Sequence, residues 1–225
     1  MHIGLIGGIG PAATAFYYQR IVQLFALAAV PLDLTIAHTD LASLMANMKD
    51  KNPGAQEAEY LRVTNGLAAA GADCVAITSF GGAFCADEFD AISPLPTING
   101  PAAMAEHLQE AGRSCVGLLG TSTVMGSKLY GKLDGVCEVL IPDDAEAMEQ
   151  AHADYCALAL NGAATDEQRD RLYAAAQRLC DRGAEAVILG GTDLNVIFDG
   201  SDAHAPVIDS AEVHVQAIVR RAMAG

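Results

Sequence analysis

Ser79, Asp193, His38 and Asp40 are the side chains whose types and settings suit proton transfer. Each follows a short apolar run. Ser79 comes after Cys74 to Ile77 and leads, past Phe80, into Gly81-Gly82-Ala83. Its hydroxyl suits ligand binding beside loop N–H donors, nucleophilic attack once a base activates it, or a plain structural turn. Asp193, with Thr192, follows Ala186 to Leu189. Thr192 is a candidate carboxylate donor, and Asp193 a base, an orienting group or a cap. His38 and Asp40 follow Leu32 to Ala37 and form an acid–base pair of the right type; a loop hydrogen bond explains them equally well. No G-x-S-x-G elbow is present.

Gly8-Ile9-Gly10-Pro11-Ala12-Ala13 fits a G-x-G-x-x-A dinucleotide fingerprint between a strand and a helix. The acidic ribose partner is not clear: Asp33 precedes the second strand, and Asp40 lies beyond its end. Backbone N–H groups of Gly8 and Gly10 at a helix start suit a carboxylate or phosphate better. A ligand-free tight turn is the third reading.

These residues need strands and helices to position them, and the chain supplies the pattern twice. Gly71-Ala72-Asp73-Cys74-Val75-Ala76-Ile77-Thr78-Ser79 is echoed by Gly183-Ala184-Glu185-Ala186-Val187-Ile188-Leu189-Gly190-Gly191. Gly4-Leu5-Ile6-Gly7 is echoed by Gly117-Leu118-Leu119-Gly120. Ser79 and Gly191 should therefore hold equivalent places. Strands are expected at Ile3 to Gly7, Leu32 to Ala37, Cys74 to Ile77, Cys115 to Leu119, Glu138 to Ile141, Ala186 to Leu189 and Val207-Ile208. Helices are expected at Ala12 to Ala28, Gln56 to Ala70, Ala102 to Glu110, Asp166 to Arg182 and Ala211 to Met223, with another opened by Pro142-Asp143-Asp144. Alternation of short apolar strands with helices indicates an α/β fold with parallel-sheet cores. The division is 1–100 for the first half, 101–210 for the second, with the helix 211–225 packing back on the first. Parallel strands carry functional loops at their C-terminal ends, which adds Thr121, Ser122 and Thr123 to the candidates. In a duplicated protein two such edges can face each other across a cleft.

With 225 residues, 52% of them hydrophobic, the chain can bury a substantial core. Thirteen basic against 28 acidic residues give a net charge of -15, which disfavours nucleic acid and anionic membrane as partners. No apolar run reaches the roughly 18 residues of a membrane span. Met1-His2-Ile3-Gly4 lacks the basic start of a signal peptide. The six cysteines form no C-x-x-C pair and read as reduced thiols, so a cytoplasmic location is expected. No metal site is expected: Asp202 and His204 lack a third spaced ligand and read as a polar loop.

Taken together, GLIGGIGPAAT at Gly4 to Thr14, GADCVAITS at Gly71 to Ser79, GLLGTSTVM at Gly117 to Met125, GAEAVILGGTDL at Gly183 to Leu194 and PVIDSAEVH at Pro206 to His214 resemble the cofactor-independent aspartate/glutamate racemase superfamily. The resemblance implies two pseudo-symmetric α/β domains around an interdomain site, no cofactor, and a homodimer. In that family a cysteine follows each inner strand; one thiolate removes the α-proton and the other thiol protonates the opposite face. The first cysteine stands in C-N-T-A-H, aligned with Ser79-Phe80-Gly81-Gly82-Ala83. The second stands in G-C-T-E, aligned with Gly190-Gly191-Thr192-Asp193. A thiol ionises near about 8.5, a serine hydroxyl needs a neighbouring base, and glycine carries no proton at all. The resemblance thus implies a divergent member without the two-thiol pair. Cys85 is the remaining thiol near the first loop. The basic residues that hold a distal carboxylate in aspartate racemases have no counterpart within Ala37 to Asn47 or Ala163 to Asp166; Lys49, Lys51 and Arg169 are nearby but suit a solvated surface. Asp209 and His214 fit a D-T-T-x-x-H tract, with His214 either at the substrate or structural.

The expectation is an amino-acid racemase or epimerase acting on a small carboxylate. Ser79, Asp193, His38 and Asp40 are its candidate catalytic groups. Gly8, Gly10, Ser79, Phe80, Gly81, Thr121, Ser122, Thr123, Gly191, Thr192 and His214 are its candidate binding groups. One-sided carbanion chemistry (decarboxylase, isomerase or lyase) and a catalytically silent carboxylate-binding protein are the alternatives.

Overall fold

The computed structural model describes residues 1–198 and 205–224, so Asp202 and His204 lie outside the described residues. The chain divides into two compact units: Met1–Ala103 with Ala211–Gly225, and Met104–Ser210.

Unit 1 is built on three parallel strands, β1 (His2–Gly7), β2 (Asp33–His38) and β3 (Cys74–Ile77), in the order β2-β1-β3. Beside β3, Thr97 pairs with Val75 in parallel as an isolated bridge. Helices α1 (Pro11–Ala28), α2 (Leu41–Lys49), α3 (Pro53–Ala69) and α4 (Ala86–Ile92) connect the strands. Pro11 opens α1 at a position where the missing N–H costs nothing. Helix α2 has no counterpart among the expected helices; it is short and buries only Leu44. Helix α4 follows a 3-10 segment, Gly81–Cys85.

Helix α5 (Gly100–Glu110) carries the chain into unit 2. There β4 (Cys115–Leu119), β5 (Glu138–Leu140), β6 (Val187–Leu189) and β7 (Val207–Asp209) form a parallel sheet in the order β5-β4-β6-β7. Helices α6 (Ser122–Gly126), α7 (Ala145–Asn161) and α8 (Asp166–Asp181) accompany it. Asp144 caps α7, and a complete capping box, Thr165 with Gln168, starts α8. Arg171 on α8 grips the buried Asp154 of α7 through two hydrogen bonds of 2.8 and 2.6 Å, a planar fork matched to a carboxylate. Helix α9 (Ser210–Ala224) then returns to unit 1, where Ala211, Val215 and Ile218 pack with Ile3, Leu5, Tyr17 and Ile21. Each such fully buried aliphatic side chain contributes roughly 1.5–3 kcal/mol.

The duplication holds at the level of hydrogen bonds. Gly4 pairs with Val75, and Gly117 with Val187. Val75 N–H donates to Pro96 O at 3.0 Å, and Val187 N–H to Pro206 O at 2.8 Å. Asp73 accepts from His2 N, and Glu185 from Cys115 N, so an acidic side chain ties down the start of the central strand in each unit. Register of this kind fixes which residues emerge at the strand ends, and it makes Ser79 and Gly191 equivalent.

Candidate active site

At the carboxyl end of β3, Thr78 and Ser79 are turned inward. Thr78 Oγ1 donates to Ile6 O at 3.0 Å and lies 3.1 Å from Thr14 Oγ1. Thr14 Oγ1 in turn accepts from Gly8 N at 3.0 Å, so this N–H of the glycine loop already serves the fold. Ser79 is 5% exposed, and its Oγ accepts from Gly82 N at 3.0 Å. Phe80 is fully buried and packs edge-on to His214, with ring centroids 6.1 Å apart. Gly81 opens the 3-10 segment beside it. His214 is also fully buried. Its Nε2 is 2.7 Å from Ile98 O, which only accepts, so this nitrogen carries the proton; Nδ1 then accepts from the Tyr17 hydroxyl at 2.9 Å. Both nitrogens are thus engaged within unit 1. Burial pulls the His214 pKa down to about 4.

The loops after β1 and β2 meet at Gly8. Its φ is +89°, and a Cβ there would lie 2.3 Å from Thr39 O and 2.4 Å from His38 Nδ1. Only glycine meets both conditions. Gly10 is left-handed as well, at the start of α1. His38 is exposed. Asp40 caps α2, accepting from Ser43 N at 2.8 Å and Ser43 Oγ at 2.9 Å. These bonds hold its carboxyl below the usual carboxylate range, so it is a weak proton acceptor.

In unit 2 the loop after β6 is more ionisable. Thr192–Val196 forms a 3-10 segment in which Thr192 and Asp193 are each 1% exposed. The hydroxyl of Thr192 has no partner among the described residues. A buried group in that state costs about 1–3 kcal/mol. Tyr155, on α7, lies with its hydroxyl 3.5 Å from Asp193 Oδ2. Burial first, then the Asp193 carboxylate, pushes the phenol well above its ordinary pKa, so Tyr155 keeps its proton. The ring also occupies the space beside Gly191: a Cβ there would be 2.1 Å from its Cε2.

After β4, Thr121 caps α6 by accepting from Val124 N at 3.1 Å. Ser122 N–H donates to His152 Nδ1 at 3.2 Å, and Cys156 Sγ lies 3.5 Å from that nitrogen. Thr123 is exposed. All six thiols sit above their ordinary pKa, with burial the leading cause in each. Cys85, nearest the first loop, is pushed up to about 12. Cys74, Cys115 and Cys137 lie at the opening ends of strands, away from these loops. Arg169 pairs with Asp166 at 3.0 Å on the surface, and Lys49 closes α2.

A family model for Asp/Glu/hydantoin racemases matches residues 6–218. The chain belongs to this racemase family. Among solved structures, a Yersinia pestis protein assigned to the Asp/Glu racemases is 25% identical, with a TM-score of 0.85 over 99% of this chain and 100% of that one. An aspartate racemase homologue from Pyrococcus horikoshii shares the fold at 24% identity and TM-score 0.80, covering 99% of both chains. Glutamate racemase from Francisella tularensis shares it at 14% identity and TM-score 0.69, over 100% of this chain and 81% of that one.

Within this racemase family member, Tyr155 and His152 were not singled out from the sequence. His152 and Cys156 carry the one legible signal, an i, i+4 spacing on a helix. Among the described residues no group of His, Cys, Asp and Glu is arranged to hold a metal, and no helix is long and apolar enough to cross a membrane.

Proposed function

We propose that the protein is a cofactor-independent racemase or epimerase of a small amino acid or related carboxylate, working with acid and base groups other than thiols. The observation that carries this is the turn after β6, where the buried Asp193 carboxylate stands next to the unpartnered Thr192 hydroxyl. Thr192 would donate to the substrate carboxylate. Asp193 would take the α-proton; the C–H electron pair passes into the carboxylate, giving an enediolate. Tyr155, protonated beside Asp193, would hold that carboxylate in place. Inversion requires a second proton carrier, and His38 is the candidate the sequence offers for it. Ser79 would bind through its hydroxyl. A cytoplasmic homodimer belongs to the same proposal.

A second reading, one-sided carbanion chemistry, is favoured by an asymmetry between the strand ends. Residues 78–82 offer hydroxyls and backbone but no ionisable side chain, whereas the β6 turn carries Asp193. The test is incubation of a panel of amino acids and malonates in deuterated water, followed by NMR and chiral analysis. Exchange with loss of chirality supports racemisation. Exchange with retention, or product from a malonate, supports the one-sided reading. Binding without exchange would leave a silent carboxylate-binding protein.

A further inference from the structure

A tyrosine stands at nearly the same place in both halves of the duplication. Tyr60 lies on α3 and Tyr173 on α8, the helices that lead into the inner strands β3 and β6. In each unit the hydroxyl donates to a backbone carbonyl in the turn after the strand: Tyr60 to Gly82 O at 2.8 Å, and Tyr173 to Ile197 O at 2.5 Å. In each unit the ring meets a phenylalanine edge-on, Phe89 at 5.6 Å between centroids and Phe198 at 5.0 Å. A buried phenol needs a hydrogen-bond partner, but that need alone does not select the same kind of partner twice. The carbonyls differ in position: Gly82 is inside its 3-10 segment, and Ile197 is just past the end of the other. What repeats is the connection from helix to turn.

That connection runs on to the candidate groups. Gly82 is held on both sides: its carbonyl accepts from Tyr60, and its N–H donates to Ser79 Oγ at 3.0 Å. A Cβ on Gly82 would lie 2.6 Å from the Tyr60 hydroxyl, so this close approach requires glycine. With an N–H already directed at its oxygen, Ser79 keeps its own proton to give and is held as a donor. In unit 2 the corresponding N–H, that of Leu194, donates to Gly191 O at 3.0 Å. The Ile197 and Phe198 N–H groups both return to Leu194 O, at 3.1 and 3.0 Å. Tyr173 thus fastens the exit of the turn in which Asp193 meets Tyr155.

We infer that Tyr60 and Tyr173 are positioning residues, one per unit, each fixing the turn after its inner strand: Tyr60 sets the Ser79 hydroxyl and Tyr173 sets the Asp193 carboxylate. This rests on the reading of Ser79 as a binding group and Asp193 as the proton acceptor. It adds two residues outside those groups whose hydroxyls govern binding and proton transfer separately.

The test is a set of double-mutant cycles on the whole protein, read by denaturant unfolding. Tyr60→Phe and Tyr173→Phe remove the hydroxyl and keep the ring. Tyr60→Phe with Ser79→Ala, and Tyr173→Phe with Asp193→Asn, should be non-additive by about fivefold in the unfolding equilibrium constant. The crossed pairs, Tyr60→Phe with Asp193→Asn and Tyr173→Phe with Ser79→Ala, share no hydrogen bond and should add within about twofold. Additivity in a matched pair overturns the assignment for that unit, because a tyrosine that only stabilises its unit does not sense the residue at the turn. Equal coupling in the crossed pairs overturns it as well. Should a Phe variant not fold, amide exchange in 15N-labelled wild type decides. Gly82 and Leu194 amides protected to within about tenfold of Val75 and Val187 support fixed turns, and faster exchange overturns them. In the α-proton exchange assay, with the amino acid of the panel that wild type exchanges fastest, Tyr60→Phe should raise KM about fivefold and Tyr173→Phe should lower kcat about tenfold. Coupled cycles in a wild type that exchanges nothing would remove the enzymatic reading and leave the positioning. Exchange kinetics unmoved by either substitution would overturn the positioning and leave the enzyme.

Discussion

The ring of Tyr155 stands where a side chain on Gly191 would have to go, 2.1 Å from the Cβ position. Gly191 is the register equivalent of Ser79. Position 191 is therefore filled by a neighbour, and the absence of a side chain there is built into the packing of α7. Gly191→Cys should cost about 3 kcal/mol by overpacking. Combined with Tyr155→Ala, it should cost clearly less than the sum of the single changes, with a coupling of about 2 kcal/mol. Denaturant unfolding of the four proteins measures this; additive costs would show that the ring yields freely.

His214 gives the fold an acid sensitivity of defined sign. Its folded pKa, about 4, lies below the roughly 6.5 of an exposed histidine. Below 6.5 the unfolded chain takes up a proton that the native state refuses. Stability is therefore fully present above about pH 6.5 and falls as the pH drops toward 4, by about 3 kcal/mol in all. Guanidinium titrations at pH 7, 6 and 5 should show the decline, and His214→Gln should flatten it. A wild-type midpoint unchanged between pH 7 and 5 would contradict the buried neutral imidazole.

Asp40 and His38 should separate by function. Asp40→Ala removes a helix cap and should lower the melting temperature by about 2–4 °C, leaving any proton exchange within about twofold of wild type. His38→Ala should leave the melting temperature unchanged. In a racemising protein it should slow inversion by about 10²-fold or more while exchange continues. Differential scanning calorimetry and the exchange assay check both.

Much of the fold was legible because it rests on local patterns: β-strand runs such as Val187–Leu189, stops such as Gly183, and the cap at Asp144. The repeat even ordered Ser79 with Gly191 before any pairing was known. The site was less legible. Asp40 resembled an acid–base group because its role as a cap depends on α2, a helix of only 9 residues that buries a single side chain. Phe80 stood in an expected loop and His214 on the final expected helix, yet both are packed into the core of unit 1. Tyr155 was invisible for the opposite reason: its meaning comes from how α7 meets the β6 turn, which no spacing along the chain encodes.

The most direct measurement is α-proton exchange in deuterated water, comparing wild type, wild type with its accessible thiols alkylated, and Asp193→Asn. Exchange should survive alkylation and fall by about 10²-fold or more in Asp193→Asn. Exchange abolished by alkylation and retained in Asp193→Asn would mean that a sulfur carries the proton, contrary to non-thiol chemistry at the β6 turn.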